Sequence, residues 1–198
     1  MKMTKKLYLM RHGETLFNQL KRIQGWSDSP LTEKGIAQAK IAGNYFSANQ
    51  ITLDHAYAST SERACDTLEQ VTTLPYQRVK GLKEWNFGVF EGESESLNPP
   101  HAPGETSYGD FFVPFGGESS QELQERMVNT LTEIMERPDH QEVLAVSHGG
   151  SLYLFLQKWL SFPEVKKVQF SNCCILVFSY SDKEFQFLEA INHDFSEL

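Results

Sequence analysis

Short apolar runs, each followed by a polar or glycine-containing turn, recur along this chain of 198 residues. Residues 7–10, 55–58 and 143–146 are typical of buried strands, because each is four residues long and mostly aliphatic or aromatic. A segment with apolar residues at helical spacing comes after each run. Strands that alternate with helices in this way predict a parallel sheet covered by helices.

Two helices are indicated by their caps as well as by their apolar stripes. Thr32 is suited to cap the first, and the sequence from Ser119 to Glu122 forms a capping box at the start of the second. Further elements are expected at residues 151–160 (an apolar helix), 173–180 and 184–188 (two strands). The order predicts an α/β fold, a three-layer α/β/α sandwich with a mostly parallel sheet, as one domain over residues 1–198.

A segment of different composition interrupts this pattern at about residues 88–117. It is rich in Gly, Pro, Ser and Glu, and no Lys or Arg occurs between Lys83 and Arg126. We interpret it as a lid insertion that is partly mobile. Its aromatic residues, and those just before it, would suit an apolar or ring-bearing leaving group. These residues are Trp85, Phe87, Phe90, Tyr108, Phe111, Phe112 and Phe115.

Charge and cysteine content narrow the classes of partner and compartment. The net charge of −8 argues against nucleic acid or an anionic membrane surface as a partner. No apolar run reaches the length of a transmembrane helix, and the run after the basic start is too short for a secretory signal. Three cysteines, Cys65, Cys173 and Cys174, do not suggest a disulfide framework. A reducing cytoplasm is therefore the expected location.

Basic and imidazole side chains follow three of the predicted strands. Arg11 and His12 come directly after the first strand. Arg63 lies shortly after the second, and His148 follows the strand that precedes the apolar helix. The carboxyl ends of parallel strands meet at one edge of a sheet, where open α/β folds place their ligands. Guanidinium forks match phosphate oxygens, so the pattern favours a phosphoryl site at this edge.

The same residues can support covalent catalysis. A neutral imidazole can attack phosphorus, and nearby guanidinium charges would lower its pKa and keep it neutral. A carboxylic acid such as Glu84 could then protonate the leaving oxygen. A zinc site built from His12, His148 and Glu84 is conceivable on composition. Two Arg residues aimed at the same point argue against it, because they would repel a cation.

Five blocks of sequence resemble the histidine phosphatase superfamily, whose best-known branch is the cofactor-dependent phosphoglycerate mutases. The resemblance runs from Leu7 to about Leu160 in the order of the family. It implies a phosphoglycerate mutase-like fold. The blocks are Leu9–Thr15 with Asn18, Ser59–Ala64 with Thr67, Leu82–Glu84 with Gly88 and Glu91–Gly92, Gly116–Ser119, and Val146–Gly150.

The resemblance also implies a role for each site residue. His12 would be the nucleophile that becomes phosphohistidine, and Glu84 would be the proton donor and later the base that activates water. Arg11, Arg63 and His148 would hold the phosphoryl group. Neither a metal nor another cofactor is implied. The expected substrate-binding residues are Arg11, Asn18, Gln24, Gly25, Arg63, Glu84, His148 and Gly149.

Three functions remain open at this point. The family contains phosphatases and mutases, and a mutase must retain a bisphosphorylated intermediate. The family's mutases carry Lys and Arg in the insertion where this chain has carboxylates, so a phosphomonoesterase acting on a small phosphorylated metabolite is favoured. A bisphosphoglycerate-dependent phosphoglycerate mutase is the alternative, and a non-catalytic phospho-ligand binder is a third possibility. The specific substrate and the choice between monomer and homodimer stay open.

Several other polar residues receive structural interpretations. His55 is expected to be structural, and His140 is expected to occupy a turn. His101, in the lid insertion, is expected to be exposed to solvent. Glu91, Glu93 and Glu95 are interpreted as a solvated acidic run.

Overall fold

The computed structural model describes residues 4–100 and 104–198, so His101 lies outside the described part. A six-stranded sheet runs through it in the order β3-β2-β4-β1-β5-β6. The first four strands in this order are mutually parallel. Strand β5 runs antiparallel to both of its neighbours, β1 and β6. The mostly parallel sheet is therefore confirmed. The strands are β1 (Lys5–Arg11), β2 (His55–Ala58), β3 (Tyr76–Arg78), β4 (Glu142–Ser147), β5 (Ile175–Ser181) and β6 (Glu184–Ile191).

The helices begin at the predicted caps. The side chain of Thr32 accepts a hydrogen bond from Gly35 N–H, and Ser119 forms a capping box with Glu122. No helix of the described ranges is long and apolar enough to cross a membrane. The helices are α1 (Leu16–Gln19), α2 (Glu33–Ala48), α3 (Glu62–Val71), α4 (Ser120–Met135), α5 (Gly149–Gln157) and α6 (Phe162–Val165).

Two apolar cores lie on opposite faces of the sheet. Alternate side chains of β1 separate between them: Leu7 and Leu9 enter one core, Tyr8 and Met10 the other. Helices α4 and α5 cover the first core, and α2 and α3 cover the second. Full burial of such a side chain contributes about 1.5–3 kcal/mol. The three-layer sandwich is confirmed, and its rigidity fixes the edge of the sheet where the polar residues gather.

The carboxyl ends of β1, β2 and β4 lie side by side. Arg11 pairs with Ser147, and Ala58 pairs with Val146. The ladder continues one residue beyond β1, because His12 N–H donates to Ser147 O at 3.1 Å. The residues that follow the three strands consequently emerge together, as the strand order predicted.

The loop after β1 packs directly on helix α2 through glycine. A Cβ on Gly13 would lie 2.5 Å from the carbonyl oxygen of Gly35, and one on Gly35 would lie 2.0 Å from the carbonyl oxygen of Glu14. Both distances are far inside van der Waals contact, so no side chain fits at either position. This backbone-to-backbone contact holds the loop that carries His12.

The lid segment, residues 88–117, is less regular than the rest. Among its described residues, three short 3₁₀ turns alternate with extended chain. Phe112 is completely buried and contacts Phe87, Phe90 and Tyr108 edge-on. Aromatic contacts of this kind add about 0.5–1.5 kcal/mol beyond the buried area. The lid is thus anchored by one aromatic cluster, while Phe111 and Phe115 remain partly exposed.

Two expectations about local structure were wrong. The apolar helix starts at Gly149 rather than Ser151, because His148 has the extended backbone of an N-cap and the chain turns helical at once. His140 follows a turn, but its ring is almost fully buried and lies 2.6 Å from Tyr57 Oη. Its spacing from Pro138 and Asp139 had suggested only the turn.

Candidate active site

His12 has the geometry of a nucleophile. Its Nδ1 lies 2.7 Å from Gly13 O, so the proton is assigned to Nδ1 and the lone pair to Nε2. The ring lines a cavity at the carboxyl edge of the sheet. Burial, followed by the charges of Arg63 and Arg11, holds the pKa of His12 well below its ordinary value. The imidazole is therefore neutral near neutral pH, as the sequence predicted.

Arg11 forms part of the same cavity wall. Its Nη1 donates to Phe170 O at 2.5 Å, which fixes the guanidinium, while its Nε is buried without a partner. Gly149 also lines the cavity, and a Cβ there would lie 3.3 Å from Arg11 Nε. The absence of a side chain at Gly149 lets the Arg11 guanidinium pack against the start of α5, with Nε buried.

His148 is fully buried beside His12, and the two ring centroids are 5.3 Å apart. Its Nε2 lies 2.7 Å from Ser59 Oγ, which orients the ring, and its Nδ1 has no partner. Burial and then the charge of Arg63 hold the pKa of His148 well below its ordinary value. The two imidazoles therefore form a neutral pair next to buried guanidinium charge.

Arg63 is near both imidazoles, but it is bound differently from the expectation. Its Nη1 donates to Ser27 O and Asp28 Oδ1, both at 2.9 Å, and its Nη2 donates to Gly25 O at 2.9 Å. The fork predicted to grip phosphate is thus already engaged by the loop of residues 24–28. Only Nε is without a partner, and Arg63 is fully buried and does not line the cavity.

Three of the buried nitrogen atoms without a partner belong to the predicted phosphoryl site. They are Arg11 Nε, Arg63 Nε and His148 Nδ1. Buried polar groups are nearly always hydrogen-bonded, since each unpaired one costs about 1–3 kcal/mol. Unpaired nitrogens are suited to the oxygens of an anion, although of these three residues only Arg11 lines the cavity.

Glu84 is held at the N-terminus of α5 by four hydrogen bonds. Its Oε1 accepts from Trp85 N–H at 2.8 Å and from both the N–H and the hydroxyl of Ser151. Its Oε2 accepts one bond, from Gly150 N–H at 2.8 Å. Oε2 is therefore the oxygen with room for a transferable proton. Glu84 lines the same cavity as His12.

The cavity has a volume of about 330 Å³ and continues into an apolar recess of about 280 Å³. Phe87, Tyr108 and Tyr153 line both spaces. Charged and polar residues also contribute to the outer wall. Sequence reasoning did not identify Arg22, Ile23, Glu95, Asn98, Tyr153 and Phe170 as wall residues. Tyr153 lies on α5, and the other five come from irregular segments whose approach to the sheet edge carries no local sequence signal.

Asn18 and Gln24 line the cavity as expected. Asn18 Oδ1 accepts from Thr15 N–H at 3.1 Å, and Gln24 Nε2 donates to Thr15 Oγ1 at 2.9 Å. Gly25 is placed differently. A Cβ there would lie 2.0 Å from Trp85 O, so Gly25 packs behind the cavity wall instead of forming it. This close contact with Trp85 O explains why residue 25 is a glycine.

Glu91 is not a solvated side chain, which corrects the interpretation of the acidic run. Its carboxylate accepts hydrogen bonds from the backbone N–H groups of Trp26, Ser27 and Phe87, and of Gly25 at 3.1 Å. It therefore ties the loop of residues 24–28 to the lid segment. Glu93 and Glu95 are exposed, as expected.

Comparison with known proteins agrees with this geometry. The family described as "Histidine phosphatase superfamily (branch 1)" matches residues 7–193. A "Probable phosphoglycerate mutase GpmB" from Proteus mirabilis (strain HI4320) is 35% identical over 186 residues, which covers 89% of this chain and 85% of the relative.

Two solved structures are similar in fold over nearly the whole chain. A phosphoglycerate mutase from Bacillus anthracis str. Sterne has a TM-score of 0.81 at 27% identity, covering 96% of this chain and 93% of that one. A phosphoserine phosphatase from Entamoeba histolytica, solved with 3-phosphoglyceric acid, has a TM-score of 0.75 at 26% identity. The match covers 95% of this chain and 97% of the phosphatase.

Proposed function

This chain belongs to the histidine phosphatase superfamily, and we propose that within it the protein is a phosphomonoesterase. It would release inorganic phosphate from a small phosphorylated metabolite through a phosphohistidine intermediate. The observation that carries the proposal is the contrast between a cationic sheet edge, which suits one phosphoryl group, and an opposite wall of aromatic side chains. That wall suits the alcohol part of an ester.

The first chemical step transfers the phosphoryl group to His12. The lone pair of Nε2 attacks phosphorus, the P–N bond forms, and the bond between phosphorus and the ester oxygen breaks. Glu84 passes a proton from Oε2 to the departing alkoxide. We assign the binding of the phosphoryl oxygens to Arg11, Arg63 and His148, and the buried, unpaired nitrogens of these residues support the assignment.

The second step returns the enzyme to its starting state. Water attacks the phosphorus of phosphohistidine while the Glu84 carboxylate takes a proton from it. The P–N bond breaks, His12 Nε2 recovers its lone pair, and inorganic phosphate leaves. Charge neutralisation by Arg11 and Arg63 requires no divalent ion in either step.

A phosphoglycerate mutase is the second candidate, and two observations favour it. The curated relative from Proteus mirabilis is named a probable phosphoglycerate mutase. Arg22 lines the outer wall of the cavity and could bind a second anionic group. Against this, Glu95 also lines the cavity, and the segment between Lys83 and Arg126 contains no Lys or Arg. A doubly phosphorylated intermediate would be repelled there.

The deciding experiment compares hydrolysis with isomerisation in the same preparation. Purified protein would be assayed against a panel of phosphate monoesters, with and without a chelator, and against 3-phosphoglycerate with its bisphosphate primer. We expect chelator-insensitive phosphate release from at least one monoester, and isomerisation slower than that release. Isomerisation faster than hydrolysis of every ester in the panel would instead assign the mutase function. Strict dependence on an added divalent ion would contradict the mechanism.

A further inference from the structure

We propose that His55, Asp139 and His140 form a binding site for Zn²⁺, separate from the active site and independent of the proposed function. His55 Nε2 lies 3.1 Å from one oxygen of Asp139, and His140 Nδ1 lies 2.9 Å from the other. The donor atoms of the three residues all lie within 4.8 Å of one another. Donor atoms around a tetrahedral zinc ion are about 3.4 Å apart, so small side-chain shifts are enough.

The donor set selects the metal. Two imidazole nitrogens and one carboxylate oxygen are typical zinc ligands, whereas Mg²⁺ and Ca²⁺ prefer oxygen donors alone. The rings of His55 and His140 are stacked, with centroids 3.7 Å apart and planes 12° apart. Both rings thus present a nitrogen to the same carboxylate. Asp139 is well exposed, so water can supply the fourth ligand.

The surroundings already orient one of the ligands. His140 Nε2 lies 2.6 Å from Tyr57 Oη. With zinc on Nδ1, the ring proton sits on Nε2 and is donated to that phenol oxygen, which is the arrangement usual for a ligating histidine. Tyr57 Oη also accepts from Arg137 Nη1 at 2.8 Å. The guanidinium of Arg137 is a nearby charge that opposes a cation, and its bond to Tyr57 Oη engages it.

The site would join two strands at the edge of the sheet opposite the active site. His55 is the first residue of β2, and Asp139 and His140 immediately precede β4. Asp54 fixes the same two segments, because its Oδ2 accepts from Gln141 N–H at 2.7 Å and Glu142 N–H at 2.9 Å. The ligands therefore come from paired backbone segments that are already in place, and binding requires little reorganisation.

Zinc binding can be measured on the full chain after removal of any histidine tag. Protein would be equilibrated with Zn²⁺, passed over a desalting column and analysed for metal content, and its affinity measured by competition with a chromophoric chelator. We expect one equivalent of zinc in the wild type. His55→Gln and Asp139→Asn should each weaken binding by more than about 10–100-fold, the usual cost of losing only a supporting contact. Mg²⁺ should not compete.

Control variants separate this site from other histidines. His193→Gln removes a histidine elsewhere and should keep the wild-type affinity, and so should His12→Ala in the cavity. Tyr57→Phe keeps all three ligands but removes the acceptor that His140 shares with Arg137, and it should weaken binding by about 10-fold or more. In the wild-type protein, bound Co²⁺ should give the visible absorption of a tetrahedral site with nitrogen and oxygen ligands. Added Zn²⁺ should displace the Co²⁺ and abolish this absorption. Absence of stoichiometric binding by the wild type, or unchanged binding in His55→Gln and Asp139→Asn, would overturn the proposal.

Discussion

The two walls of the active-site cavity are built by different means. The sheet-edge wall consists of side chains at or just beyond the carboxyl ends of the strands and at the start of α5, and the hydrogen-bond ladder fixes those strand ends. The lid wall comes from the irregular segment and its neighbours, held by aromatic contacts and by the Glu91 carboxylate. In the proposed mechanism, chemistry and substrate preference therefore rest on separate parts of the chain.

This difference predicts two classes of mutant. A change in the sheet-edge wall should lower kcat for every substrate, because all substrates share the phosphoryl group. A change in the lid wall should alter the ratio of kcat/KM values between substrates and leave kcat for the best substrate nearly unchanged. Kinetic measurements on variants of each wall test whether the two walls are as independent as their construction suggests.

The largest effect is expected from His12→Ala. Without the nucleophilic Nε2, turnover should fall by on the order of 10⁵-fold or more for all esters, and covalent labelling by a phosphorylated substrate should disappear. Acid-labile, alkali-stable incorporation of labelled phosphate measures the intermediate directly. His193→Gln is the matched control and should label normally. Persistent labelling on histidine in His12→Ala would transfer the nucleophile's role to His148.

Glu84→Gln should produce a smaller loss that depends on the leaving group. The amide keeps the size of the side chain and removes the transferable proton. Alkyl phosphates should be hydrolysed about 10²–10⁴-fold more slowly, whereas activated aryl phosphates, whose leaving group needs no proton, should lose much less. Breakdown of the phosphoenzyme should also slow.

The control for this variant is Glu93→Gln, an exposed carboxylate of the lid, which should leave the alkyl-to-aryl ratio unchanged. Glu84 also caps α5, so the thermal midpoint of the variant is measured alongside its kinetics. Equal losses for alkyl and aryl esters would remove Glu84 as the general acid.

Arg22→Gln tests the lid side of the cavity. Arg22 is exposed there, with Nη1 bonded to Gly92 O at 2.6 Å. For esters that carry a carboxylate or second phosphate, KM should rise about 10-fold, the equivalent of about 1.4 kcal/mol for one exposed charge-assisted contact. Esters of neutral alcohols should be unaffected. Lys21→Gln, at the neighbouring position, serves as control. A uniform fall in kcat would show that the two walls are coupled.

Acid should weaken the fold through the buried imidazoles. The pKa values of His12 and His148 are held well below 6.5 in the folded state, so the unfolded chain takes up protons first as the pH falls. Their contribution to the free energy of unfolding is complete above about pH 6.5. Below that pH, the free energy of unfolding decreases by about 1.4 kcal/mol per pH unit for each of the two imidazoles.

Urea titrations of wild type and His148→Gln over this range measure the effect. The variant lacks one of the titrating groups, so the stability difference between the two proteins should shift in favour of the variant as the pH decreases. Curves that stay parallel from pH 7.5 to pH 5 would show that His148 does not titrate as described.

Most of the sheet-edge wall could be predicted from the sequence. Strand position follows from short apolar runs, and parallel order brings the ends of the strands together, so Arg11, His12 and His148 had a predictable location. Their hydrogen bonds were less predictable. That the fork of Arg63 binds the loop of residues 24–28 depends on where Asp28 lies in space, and nothing in the local pattern specifies this.

Contacts between distant loops account for the remaining errors. Glu91 was placed in a solvated run because its neighbours are acidic, yet backbone donors from another loop surround it. His55 and His140 each have an ordinary context in the sequence, and only the pairing of β2 with β4 stacks their rings. A pattern that extends over a few residues cannot predict contacts between residues that are far apart in the sequence.

The contact between Gly13 and Gly35 has a consequence for how this protein tolerates mutation. Gly35 has no side chain, does not line the cavity and takes no part in catalysis, yet any larger residue there would push against Glu14 O and displace the loop that carries His12. In a library scored for activity, Gly35 would be as intolerant as the reacting residues. Intolerance to substitution in this chain should therefore map the support of the proposed nucleophile, His12, as well as His12 itself.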